Sequence, residues 1–118
     1  LSNKLGSAGC HKPEWTTGEY KPLPGYANQT IRPYTDMLRH DMGEINRGRS
    51  RFWRTPPLWG RGLMHKTANH TDMFHDLRAR DFEEAILWHF GESEFSREMF
   101  RHLSVEERGQ LIQFLKAL

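Results

Sequence analysis

A single cysteine, Cys10, stands in the 118 residues. One thiol excludes an internal disulfide and any Cys-rich zinc site built within the chain. No apolar run approaches the ~18 residues of a membrane-spanning helix, so no span is expected. Charge of one sign is scarce as well: 17 Lys and Arg face 15 Asp and Glu, a formal +2 with neutral histidines. With no dense basic stripe, nucleic acid is not an expected partner. The one basic cluster, Arg47, Arg49, Arg51 and Arg54, reads either as a solvated loop or as a docking place for acidic groups. Apolar residues make up 36% of the chain, short of the ~45–50% usual for a globular domain, and they gather toward the C-terminus. The length fits one domain over residues 1–118. A chain this short buries only about two thirds of its unfolded surface. Something outside the polypeptide is therefore expected to add to the core, and a planar apolar cofactor would do so. The chain begins at Leu1 with no signal-peptide pattern, which reads as a mature form or a fragment.

What is present is helical punctuation late in the chain. Asp81 to Phe90, DFEEAILWHF, starts with Asp81 as N-cap and Glu84 at the capping-box position, and Gly91 is expected to stop it. Ser104 to Leu118 repeats the device with Ser104 and Glu107. Its Leu111, Ile112, Leu115 and Leu118 share one face, which Phe114 widens. Gly109 inside that helix is expected to permit close packing. Residues 96–103 read as a shorter helix between the two. Residues 34–42, YTDMLRHDM, allow two helical turns, and residues 1–10 one. Pro and Gly interrupt most of 12–33 and 43–80. No β alternation persists, so the expected class is all-α: three to five helices with long loops. Loops of that length are reasonable if they wrap a large ligand.

The chemistry begins at GSAGCHKP, residues 6–13. It differs from the covalent haem-attachment pattern C-x-x-C-H in one letter, Ser7 standing at the first thiol position. Cys10 can add across a haem vinyl group while the adjacent His11 reaches the iron. Ser7 cannot form a thioether, so one tether is the limit. A second axial ligand would come from the five methionines or the six other histidines. His89 stands out, at the end of an amphipathic helix beside Trp88 and just before Gly91. Met42, also before a glycine, is the second choice. A porphyrin-free metal site at Cys10 and His11 fits no zinc spacing.

The segments GCHKP (9–13), IRPYTDMLRHDMG (31–43), RTPPLWG (54–60), FHDLRARDFEEAILWHFGE (74–92) and LSVEERGQLIQFLKAL (103–118) carry a resemblance. The chain resembles the C-terminal cytochrome c domain of the bacterial di-haem oxidoreductases, which are thiol oxidoreductase-like and related to di-haem cytochrome c peroxidases. The resemblance implies a small cytochrome c-like domain around one haem c, with iron as its metal. It matches Cys10 and His11 to the attachment cysteine and proximal histidine, and puts His89 close to the distal ligand. It makes Arg54 a propionate partner and sets Trp59, with Pro56 and Pro57, as pocket wall. Two departures go with it: Ser7 removes one tether, and Leu77 stands where the family usually has glycine. The family's second haem domain is also not in this stretch.

The leading expectation is electron transfer by a covalently attached, six-coordinate, low-spin haem, through one thioether. Trp15, Phe52, Trp53, Trp59, Trp88 and Phe90 would bury it. The alternatives are a haem peroxidase or oxidoreductase domain with a displaceable axial ligand, using His40, Asp41, His75 and Asp76 as acid–base groups, and a structural haem-binding subunit. An electron-transfer domain is favoured over a stand-alone enzyme. The expected partner is a redox protein or another haem domain, which self-association could also supply. Covalent haem attachment takes place outside the bacterial cytoplasm, so the resemblance implies a periplasmic or extracellular location.

Overall fold

The computed structural model describes residues 4–44 and 50–118; Arg47 and Arg49 of the basic cluster lie outside them. Helices form where side chains satisfy their first amides. In α4 (Val105–Ala117) the Ser104 Oγ accepts from the Glu107 N–H at 3.2 Å, and Glu107 Oε2 accepts from the Ser104 N–H at 2.9 Å. This reciprocal pair is the expected capping box. In α2 (Phe82–Leu87) Asp81 Oδ1 accepts from the Glu84 N–H at 2.8 Å, but Glu84 bonds the backbone and guanidinium of Arg80 instead of closing the box. That helix stops at Leu87, three residues short of Phe90. The chain turns out through Trp88 and His89 before a single 3-10 turn, Gly91–Ser93. α3 (Glu94–Arg101) covers most of the short helix expected over 96–103.

Helices α2, α3 and α4 pack together with the N-terminal turn across Leu5, Phe100 and Leu111, which are 1%, 0% and 7% exposed. Ile86, Met99, Leu103 and Leu115 flank this core. Gly109 is not part of it: a Cβ there would meet nothing within 4 Å. Its helical position therefore carries only the entropy penalty of glycine. Gly109→Ala should stabilise the protein by about 1 kcal/mol, read as a rise in thermal midpoint.

The class is mixed α/β, not all-α. Two small antiparallel sheets stand beside the helices. β1 (Trp15–Thr16) pairs with β2 (Thr30–Ile31), and β3 (Arg39–Asp41) with β4 (Phe52–Arg54). A short helix α1, Met64–Thr67, follows a 3-10 turn at Arg61–Leu63. Strands of two or three residues are too short to show alternation, which is why the sequence pattern hid them.

The two turns of helix expected over 34–42 are absent for a local reason. Thr35 Oγ1 accepts from the Met37 N–H at 2.9 Å and donates to the Thr55 carbonyl at 2.7 Å. Asp36 Oδ1 accepts from the Leu38 N–H at 2.9 Å. Such side chain–backbone bonds offer the chain an alternative to helix. Tyr34 and Met37 sit at φ of 55° and 64°, in the left-handed region.

Gly91 joins the sheet to the helices. At φ 58° it lets the turn after α2 press on β3, and a Cβ there would collide with the Asp41 carbonyl and the Gly43 amide. Leu77 takes φ 57°, the conformation that a glycine would adopt at lower cost. Among the described residues no helix is long and apolar enough to cross a membrane.

Candidate functional site

A cavity of about 220 Å³ opens between the N-terminal turn, β4, α2 and α4. That is many times the ~10–15 Å³ that admits one water. Its walls are mainly apolar, with Phe74, Phe82, Leu111 and Phe114 prominent. His11 and His89 both line it.

The two imidazoles are held in the same way, each by a backbone carbonyl. His11 follows a turn closed by the Ser7 carbonyl and the His11 amide at 2.8 Å. Its Nδ1 donates to the Tyr34 carbonyl at 3.0 Å. His89 Nδ1 donates to the Ala85 carbonyl at 2.7 Å, one turn back along α2. A carbonyl can only accept, so each Nδ1 carries the proton and each Nε2 keeps its lone pair. The ring centres are 6.4 Å apart with planes at 54°. A metal bonded to both Nε2 atoms at ~2.0–2.1 Å, with each nitrogen ~1.1 Å from its ring centre, needs ring centres ~6.3 Å apart. The donor set and the ring spacing are those that one metal centre held by both rings would require.

Electrostatics agree with neutral rings. Burial pushes the His11 imidazole below its ordinary value, against the Tyr34 bond that supports the charged form. Burial pushes His89 down to about 4, and the neighbouring His11 adds to the shift. Backbone strain gathers here too. Tyr34, which holds His11, and Phe74, edge-on to His89 at 5.5 Å, both have positive φ. Such residues collect at functional sites.

The other expected residues divide. Met42 and Arg54 line the cavity, as does Ser7. Met42 Sδ accepts from Ser93 Oγ at 3.5 Å. Trp59 is 51% exposed and does not line the cavity; Pro56 does and Pro57 does not. Phe52 is likewise half exposed, whereas Trp15, Trp53, Trp88 and Phe90 are partly buried. Of the acid–base candidates, His75 alone lines the cavity; Asp76 is paired with Arg78. Sequence reading missed the Tyr34 carbonyl, Phe74 and Arg61. No local signal marks a backbone carbonyl as a histidine's partner, but Arg61 beside the RTPPLWG segment could have been noticed.

Cys10 does not line the cavity. Its Sγ groups with ligand atoms of Asp36 and His40, all within 4.8 Å of one another. Burial raises the thiol's pKa, and the carboxylates of Asp36 and Glu92 raise it further. His40 bridges two carboxylates, Nδ1 to Glu92 Oε2 at 2.8 Å and Nε2 to Asp36 Oδ2 at 2.6 Å. Both nitrogens donate only as the imidazolium, and both are then closed to a metal.

The Glu92 bond, then the Asp36 bond, raise the His40 pKa. A raised folded value means the bridge stabilises fully below the unfolded value of ~6.5 and is lost as pH climbs through the folded one. The urea midpoint of the protein should exceed that of His40→Gln at low pH. The gap should close as pH rises; a constant gap would show that the bridge does not raise the His40 pKa.

A family model described as "Di-haem oxidoreductase, putative peroxidase" matches residues 1–118. No curated protein and no solved structure matches the chain.

Proposed function

The chain belongs to the di-haem oxidoreductase family, and on that premise we propose that it is an electron-transfer domain holding one six-coordinate, low-spin haem c between His11 and His89. The observation that carries the reading is the pair of imidazoles on one apolar cavity, each with its Nδ1 bonded to a carbonyl, whose ring centres lie 6.4 Å apart. When bound, the iron porphyrin supplies one-electron chemistry. The residues of the chain do the rest. The Tyr34 and Ala85 carbonyls fix each ring and make its free nitrogen a better donor. Phe74, Phe82, Leu111 and Phe114 exclude water, which lowers the rearrangement that accompanies a change of charge. Two neutral imidazoles favour the ferric state more than a methionine would.

Cys10 would hold the group through a single thioether, its S–H adding across a vinyl C=C with the sulfur on one carbon and the hydrogen on the other. Its side chain must turn from Asp36 and His40 toward the cavity rim to do so. Covalent attachment carries a periplasmic or extracellular location with it. The electron partner is a redox protein or a second haem domain, in another protein or in another copy of this chain.

One observation favours a second reading, in which an axial ligand leaves and the site reduces peroxide: His75 lines the cavity and could serve as acid–base group. The absorption spectrum of purified protein separates the readings. A low-spin Soret band that survives acid-acetone extraction, with no carbon monoxide adduct of the reduced form, is expected. A colourless folded protein would end both readings, and a rapid carbon monoxide adduct would favour the second.

A further inference from the structure

The indole N–H of Trp53 is buried and has no hydrogen-bond partner among the described residues. Such orphans are rare in folded chains, and each one asks for a missing acceptor. Trp53 lines the cavity, and its plane is set by stacking on His75, with ring centres 4.4 Å apart and planes at 22°. Arg54 and Arg61 line the same cavity. Neither pairs with a carboxylate among the described residues. Residues 1–3 and 45–49, outside the description, include no acidic side chain. Among the described residues Arg61 donates only to the Met64 sulfur, at 3.1 Å, a weak acceptor. Arg97, also on the cavity, differs: Glu94 and Glu98 neutralise it at 2.8 and 2.7 Å. Trp53, Arg54 and Arg61 thus offer the cavity an unpaired indole N–H and two guanidiniums with no carboxylate partner among the described residues.

We propose that Trp53 Nε1–H, Arg54 and Arg61 form a carboxylate subsite that receives the haem propionates, with His75 as the residue that positions the indole. The inference rests on the haem reading above and deepens it. The guanidiniums neutralise the carboxylates, and the indole N–H fixes their direction without bringing a charge. Arg54 is the one member of this set to which the family resemblance gives that role. Trp53 and Arg61 enter through the orphaned donor and the missing counter-ions.

The test is potentiometry of the holoprotein across a pH series, comparing Trp53→Phe and Arg61→Gln with the unaltered protein. Titratable or charged groups around the subsite are His75 stacked on Trp53, His40 and Arg39 across the strand pair from Trp53 and Arg54, Arg97 with its partners Glu94 and Glu98, and the ligands His11 and His89. These remain in both variants, so the readout is each variant's potential minus that of the unaltered protein. Losing a donor lets a propionate take up a proton near neutrality. An ionised propionate favours ferric iron, so the difference should fall as pH rises in both variants. Redox-difference infrared spectra of the variants should gain a protonated-carboxyl band. Both variants should keep the low-spin Soret band; loss of haem from the unaltered protein would instead sink the underlying reading. A difference independent of pH, with no new carboxyl band, in either variant would overturn the subsite. If Trp53→Phe fails to fold, Arg61→Gln decides alone.

Discussion

His89→Ala is expected to convert a low-spin, six-coordinate haem almost completely to a high-spin, five-coordinate one. The side chain makes two contributions that can be separated. Its Nδ1–H bond to the Ala85 carbonyl is not essential to the helix end, because that carbonyl also accepts from the Trp88 amide at 3.2 Å. Truncation therefore costs α2 little and acts mainly on coordination. Added imidazole should enter the space left beside Phe74 and restore the low-spin spectrum. The reduced variant should bind carbon monoxide where the unaltered protein does not. A variant that stays low-spin without added base would pass the role to another group on the cavity. Met42 is then first in line, and a potential shifted upward would identify it, since thioether ligation favours ferrous iron.

Phe100→Ala should be the most damaging single truncation for folding. The ring is fully buried in the cluster with Leu5 and Leu111, and the Arg108 guanidinium lies over it at 5.4 Å. Phe-to-Ala changes at such positions cost about 3–5 kcal/mol through lost transfer energy and the cavity left behind. Against a typical total of about 5–15 kcal/mol, that is a large share. Phe95, on the same helix, is 64% exposed and provides the comparison. Phe95→Ala should change stability by no more than about 0.5 kcal/mol. Denaturant midpoints of the two holoproteins check this, with m-values confirming that both unfold as one unit. Equal midpoints would mean that the bound cofactor, not the Leu5–Phe100–Leu111 cluster, sets the stability.

Each part of the site differs in how far its position could be read from the sequence. The start of α2 at Asp81 and the whole of α4 are written in residues three or four apart. Cap, acidic first turn and apolar face all act within one helical turn. The adjacency of Cys10 and His11 is equally local. His89 could be singled out because helix end, tryptophan and glycine adjoin it. The segment 34–42 could not be read this way. Its apolar and polar spacing tolerates a helix, but the hydroxyl of Thr35 reaches the Thr55 carbonyl and the imidazole of His40 reaches Glu92.

The sequence by itself therefore determined the capped helices, the Cys-His pair and the surplus of candidate ligands. Only the tertiary structure decided which imidazoles meet, which nitrogen each presents, and that the Cys10 thiol turns toward an acid–histidine cluster. It also decided that Trp53 is left with an unpaired N–H. The reason is range. Tyr34 holds His11 across 23 positions, and Glu92 holds His40 across 52. Bonds of that span form only after helices and strands have packed, and no periodicity in the chain announces them in advance.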